Sequence, residues 1–239
     1  MENATYTALT RQSGLMNEMR VVANNIANLS TTGFRAEGVI FSEYVSALGP
    51  GDPSLSMAQA SVRDTLMSQG TLTMTGGSFD LAIEGDGYFL IETPQGERLT
   101  RAGAFTPNEN GDLVTPEGFR VLDAGGAPVF VPQGVGPVGI APDGTVSAGG
   151  QPVAQVGLVK PTNPMGMVRE DGVRFRADDG FQPAPEARML QGFVEESNVD
   201  PVLEISRMIE VQRAYELGQS FLDKEDERIR SAIRALGQK

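Results

Sequence analysis

Beginning at Asp200-Pro201, the apolar residues Val202, Ile205, Met208, Ile209, Tyr215, Leu222, Ile229, Ile233 and Leu236 recur at helical spacing. Asp200 supplies a capping side chain, and Pro201 suits the first helical position. The helix runs for about 36 residues, roughly 54 Å at 1.5 Å per residue. Gly218 inside it costs about 1 kcal/mol relative to Ala. Residues 223–230 (DKEDERIR) interleave both signs of charge and read as a solvated face. A helix this long with an apolar seam must cover that seam with something, and this requirement constrains the chain more than any other feature.

The N-terminus carries a matching element. Leu9, Met16, Met19, Ala23 and Ile26 step by seven, three, four and three, close to the heptad spacing of a coiled coil. No Pro interrupts this stretch, and Ser30-Thr31-Thr32-Gly33 ends it, with Gly33 suited to a left-handed terminator. The two thin seams can pair with each other or with further copies. One helix pair is marginal alone, because ordering each residue costs about 1–2 kcal/mol. Assembly would supply the missing burial.

Between the helices, periods of three and four give way to a period of two. Phe79, Leu81 and Ile83 alternate with Asp80, Ala82 and Glu84 as in a half-buried strand, and Tyr88-Phe89-Leu90-Ile91 follows the turn Gly85-Asp86-Gly87. Further turn signals at Asn110-Gly111, Glu117-Gly118, Asp143-Gly144 and Asp179-Gly180 predict an antiparallel β body. The predicted organisation is an N-terminal helix over 1–33, an extended connector over 34–75 with a loop at Gly49–Pro53, a β-rich body over 76–192 and a C-terminal helix over 193–239. The fold class is α+β.

Composition narrows the function. The chain has no Cys and no His, which removes thiolate sites, the commonest metal ligand and the commonest general base. A net charge of -12 argues against nonspecific nucleic-acid binding. The start MENATYTAL lacks the features of a cleaved secretory signal, and no apolar run approaches a membrane span. The expectation is a non-enzyme with no cofactor, no metal, no nucleic acid and no membrane span.

Three segments resemble the flagellar rod and hook axial proteins. Ala23-Asn24-Asn25-Ile26-Ala27-Asn28 with Thr32-Gly33-Phe34-Arg35 is similar to their N-terminal signature. Phe79 to Phe89 with Thr100-Arg101-Ala102-Gly103-Ala104-Phe105 is similar to their central motif. Gly192 to Pro201 with Met208 to Glu216 is similar to their C-terminal signature. Arg35 and Val194 stand where many members carry Lys and Leu. The opening Asn3–Ala8 and the block Ile140–Ser147 resemble the proximal rod members most, with the distal rod members as close competitors.

The resemblance implies terminal helices that pair as a coiled coil in the assembled inner tube, with the β body outside. It implies a structural subunit of the basal-body rod, crossing the periplasm and transmitting torque from motor to hook. The implied partners are copies of the chain, other rod proteins and the flagellar type III export apparatus, which exports without signal cleavage. The expected assembly contacts are Leu9, Met16, Met19, Ala23, Asn24, Asn25, Ile26, Asn28, Gly33, Phe34, Ser197, Asn198, Ile205, Met208, Ile209, Gln212, Arg213 and Tyr215.

Individual residues also have plainer readings. Asn24 and Asn28 share a helix face, and with Asn25 they suit the fixing of register between helices; a solvated helix end is the alternative. Asp80, Glu84 and Asp86 read as strand and turn residues rather than a catalytic pair or calcium loop, with Arg101 as an ion-pair partner for them, worth little if exposed. A secreted β-rich binding module and a carboxylate-pair hydrolase are the competing functions.

Overall fold

The computed structural model describes residues 2–46, 55–132, 134 and 136–236. The chain divides into two compact units. One contains residues 1–27, 36–66 and 199–239; the other contains 28–35 and 67–198.

The first unit holds helix α1 (Glu2–Ala27), strands β1 (Glu37–Ser46) and β2 (Leu55–Thr65), and helix α2 (Pro201–Leu236). Helix α2 starts where the sequence places it. The Asp200 carboxylate accepts from the backbone N–H of Val202 (2.9 Å) and Leu203 (3.0 Å), and Pro201 stands at the first helical position, where no N–H is needed. Strands β1 and β2 form an antiparallel hairpin with Glu37 opposite Thr65 and Ser46 opposite Leu55, and a bulge at Ile40/Phe41. This hairpin occupies most of the stretch expected as an extended connector. The expected loop at Gly49–Pro53 lies outside the described residues. Helix α1 packs against α2 and against both strands of the hairpin.

The second unit is the β body, with every strand pair antiparallel. Strands β3 (Leu72–Met74), β4 (Leu81–Glu84), β5 (Tyr88–Thr93) and β6 (Gly96–Thr100) open it. Strands β5 and β6 sit inside a nine-stranded sheet. The run Tyr88–Ile91 is apolar without alternation because β5 is covered on both faces. Phe89 and Ile91 join a cluster with Leu81, Ile83, Phe105, Leu113 and Val121, whereas Tyr88 and Leu90 join Leu99, Leu122, Val159 and Phe175. Each such side chain contributes about 1.5–3 kcal/mol through burial. The alternation in β4 predicts one buried face, yet Ala82 is as buried as Leu81 and Ile83, because Arg188–Gln191 pairs along it and the core wraps both sides. Phe130 pairs with Asp112 in an isolated antiparallel bridge. Among the described residues, no helix is long and apolar enough to cross a membrane.

Candidate assembly interface

In the helix unit, α1 and α2 run antiparallel with polar contacts at two levels. Gln12 Nε2 donates to the Tyr215 carbonyl at 2.9 Å, and Arg207 pairs with Glu18 at 2.9 Å. The face that α1 buries within the chain is Gln12, Leu15, Val22 and Asn25, with Val21 beside it. The seam read from sequence lies one residue round from this face. Leu9 and Ala23 are exposed, and Met16, Met19 and Ile26 are half-buried.

Helix α2 buries little. Among its described residues only Glu204 and Val211 are buried. Val202, Leu203, Ile205, Ile209, Leu217, Phe221, Ile229, Ile233 and Leu236 are all exposed. Of the other expected contacts on α2, Gln212 and Arg213 are exposed, and Met208 and Tyr215 are half-buried.

The asparagines divide by role. Asn25 is fully buried, and its amide pairs with the backbone of one residue: Nδ2 donates to the Glu37 carbonyl at 2.8 Å, and Oδ1 accepts from the Glu37 N–H at 2.9 Å. The side chain imitates a neighbouring strand and ties the start of β1 to α1. Asn24 Nδ2 donates to Glu37 Oε2 at 3.3 Å. Asn28, half-buried, accepts from the Thr31 hydroxyl at 3.1 Å as the chain turns out of the helix. Asn25→Ala would remove both hydrogen bonds that the amide makes to the Glu37 backbone, at a cost of about 2–4 kcal/mol. Amide hydrogen exchange at Glu37 should accelerate strongly in Asn25→Ala and stay near its native rate in Asn28→Ala.

In the β body, a buried ion cluster joins three remote segments. Arg35 and Glu195 are each 1% exposed and pair at 2.7 Å; Arg101, 4% exposed, pairs with the other Glu195 oxygen at 3.1 Å. Glu195 Oε1 also accepts from the Gly70 N–H at 3.0 Å. Arg101 donates to the carbonyls of Gly85 (2.7 Å) and Ile83 (3.2 Å) and lies over the Tyr88 ring at 5.1 Å. Arg35 donates to the Ser68 carbonyl. Burial lowers the Arg101 pKa and raises that of Tyr88, in each case disfavouring the charged form.

The expected pairing of Arg101 with Asp80, Glu84 or Asp86 does not form; Arg101 is instead buried on Glu195. Asp80 accepts from the Thr75 hydroxyl at 2.5 Å, and Glu84 and Asp86 are exposed. Sequence reasoning does not single out Glu195. It stands beside Glu196 directly after the apolar pair Phe193-Val194, and nothing local distinguishes the buried acid from its exposed neighbour.

Backbone bonds reinforce the same place. The Gly33 N–H donates to the Glu195 carbonyl at 2.7 Å, and the Asn198 N–H donates to the Phe34 carbonyl at 3.3 Å. Asn198 Nδ2 donates to the Ser68 carbonyl at 2.8 Å. Phe34 is fully buried beneath the Arg169 guanidinium, 4.8 Å from its ring centre. Gly33, Phe34 and Asn198 of the expected contact set thus meet here, and Ser197 is half-buried beside them in sequence.

Comparisons with known proteins agree along the whole chain. Residues 6–35 match the family described as flagella basal body rod protein, residues 82–148 the flagellar hook protein FlgE/F/G D1 domain, and residues 190–235 the flagellar basal body rod FlgEFG protein C-terminal family. The chain is 41% identical to the flagellar basal-body rod protein FlgF of Caulobacter vibrioides, covering 99% of both chains. It is 40% identical to FlgF of Mesorhizobium japonicum over the full length of both, and 30% identical to the rod protein FlgG of Bacillus subtilis over 98% of both. Matches of this size from end to end show that the chain belongs to the FlgF family of flagellar basal-body rod proteins.

Proposed function

We propose that this chain is a structural, non-catalytic subunit of the bacterial flagellar basal-body rod, of the proximal type, assembling through its terminal helices. The observation that carries the reading is helix α2. A 36-residue helix that leaves nine large apolar side chains exposed is not a finished monomer surface. Pairing of such helices into an inner coiled-coil layer covers them, with copies of the chain and other rod proteins as partners. The outward seam of α1 (Leu9, Met16, Met19, Ala23, Ile26) and the α2 residues Ile205, Met208, Ile209, Gln212, Arg213 and Tyr215 belong to that layer.

Torque in this reading passes between helices and body through the polypeptide at Gly33–Arg35 and Glu195–Asn198. These segments are stapled together by the buried ion cluster, so neither strand of chain carries load alone. The subunit reaches its place through the flagellar export apparatus without a cleaved signal. The subdivision read from sequence, helix 1–33, connector 34–75, body 76–192 and helix 193–239, is retained for the assembled subunit, with the β1–β2 hairpin as the content of its connector.

The proximal assignment is supported by the drop in identity from 41 and 40% with the FlgF relatives to 30% with the FlgG relative. A secreted binding module is disfavoured by α2, since such a protein needs a stable monomer with covered ends. Deleting the gene should abolish motility and leave basal bodies without a complete rod under the electron microscope. Motile cells with complete basal bodies would overturn the assignment.

A further inference from the structure

The helix unit contains a groove of about 640 Å³, lined by Ala8, Gln12 and Leu15 of α1 and Ala214, Gly218 and Phe221 of α2. That volume holds several side chains, far more than one water. Small residues make the groove. A Cβ at Gly218 would lie 2.9 Å from the Gln12 amide, so the glycine lets Gln12 lie against α2.

Gln12 is only 7% exposed, and its two amide atoms differ. Nε2 donates to the Tyr215 carbonyl, whereas Oε1 is buried with no hydrogen-bond partner. A buried amide oxygen left without a donor costs about 1–3 kcal/mol. Its position in the groove wall asks for a donor from whatever fills the groove. Arg11, exposed at the same groove, makes no ion pair among the described residues.

The end of α2 presents the complementary surface. Ile229, Ile233 and Leu236, spaced by four and three, form one exposed apolar stripe. Beside it, Asp226 and Arg230 pair at 2.8 Å while both remain more than half exposed. The stripe offers apolar side chains for the groove, a carboxylate for Arg11 and guanidinium N–H groups for Gln12 Oε1.

The stripe cannot serve its own groove. Gln12 stands level with Tyr215, so in the antiparallel pair Ala8 stands level with about residue 219. Ile233 is then about 14 residues further along α2, roughly 21 Å at 1.5 Å per residue. We propose that the groove at Gln12 and Gly218 receives the Asp226–Leu236 turns of α2 from a second copy of this chain. Arg11 faces Asp226, and Arg230 donates to Gln12 Oε1. The groove and the stripe are different surfaces, and in the proposed rod each copy gives its stripe to one neighbour and its groove to another, a heterologous contact. It leaves one free groove and one free stripe at the two ends of any chain of copies, and it propagates instead of closing on a dimer. A polar residue buried at one level of a helix interface fixes axial register, and Gln12 does so here. The proposal rests on the rod assignment and adds to it which surfaces of neighbouring copies meet.

The chain has no Cys, so introduced cysteines report cleanly. A disulfide needs Cα atoms within about 7 Å, which excludes an Ala8→Cys/Ile233→Cys bond within one chain. The double variant should replace the native chain in the bacterium, and isolated basal bodies should be oxidised and run without reductant. The expected result is a ladder of linked dimers, trimers and higher species, absent from either single variant. The pair Arg11→Cys/Arg230→Cys, about 21 Å apart along one molecule by the same register, should give the same ladder. If the variants enter basal bodies in normal amount and neither pair cross-links beyond its single-cysteine controls, the docking is wrong and the rod assignment stands. If linkage stops at dimers, the contact is mutual and the propagating arrangement is overturned. If the native chain is itself absent from basal bodies, the rod assignment fails and takes the docking with it.

Discussion

Glu195→Gln should lower the stability of the β body by about 3–5 kcal/mol, the range for breaking a buried ion pair by removing one partner. At roughly 2–4 °C per kcal/mol for a domain of this size, the melting temperature should fall by about 6–20 °C. The substitution keeps the shape of the side chain and an acceptor for the Gly70 N–H. It removes the charge that pairs with both Arg35 and Arg101, whose side chains are 1% and 4% exposed. The loss has two components, an unmatched pair of cations and their mutual repulsion at close range. Burial already lowers the Arg101 pKa, and Glu195 opposes that shift. With Glu195 neutralised, the opposition disappears.

The effect should also be local in a particular way. The body is built from residues 28–35 and 67–198, so its N-terminal piece is held mainly by contacts to remote segments. The Gly33 N–H bonded to the Glu195 carbonyl is a direct reporter of that attachment. Its hydrogen exchange should rise more than that of β5 amides at the centre of the sheet. A drop below about 1 kcal/mol, with Gly33 exchange unchanged, would show that the cluster is not the staple between the segments.

The parts of this fold that are legible in sequence are those fixed by local chemistry. The Asp200-Pro201 start of α2 needs only one carboxylate and one ring, and both sit where the rule puts them. The β body announces itself through turn pairs such as Asn110-Gly111 and Asp143-Gly144. The hairpin at 37–65 does not. Its strands pair Glu37 with Thr65 across a long separation, and the second strand, LSMAQASVRDT, is rich in residues with no strong β preference. The hydrophobic pattern places the buried face of α1 one residue out of phase. Two members of that face, Gln12 and Asn25, are polar and are buried because each meets a backbone partner on another element. A hydrophobic pattern does not count them. Glu195 escapes for the same reason. In the strand Phe193–Glu195 the charged residue is the most buried of the three, and its partners are far away in sequence.

Gly33→Ala should be the most damaging single-methyl addition in the N-terminal signature, and a companion substitution separates its two causes. Gly33 has φ +70°, and a Cβ there would lie 2.3 Å from the Ala102 nitrogen and 2.4 Å from the Arg101 carbonyl carbon. The first cause is conformational: a left-handed residue with a Cβ costs about 1–2 kcal/mol. The second is steric: both obstructing atoms are backbone, so no side chain can swing aside, and overpacking of this kind costs about 1–3 kcal/mol or more. Gly118 has φ +90°, and a Cβ added there would meet nothing within 4 Å, so Gly118→Ala isolates the conformational cost. Denaturant unfolding should show Gly118→Ala down by about 1–2 kcal/mol and Gly33→Ala down by about 2–5 kcal/mol. The difference measures how closely the chain leaving α1 presses on Arg101 and Ala102. In Gly118→Ala the Arg35–Glu195–Arg101 cluster stays closed. In Gly33→Ala the Arg101 backbone must retreat from the new methyl, and the Arg101–Glu195 pair at 3.1 Å lengthens with it. If the two alanine variants lose equal stability, the close approach has relaxed at no cost, and Gly33 is retained for its backbone angle alone.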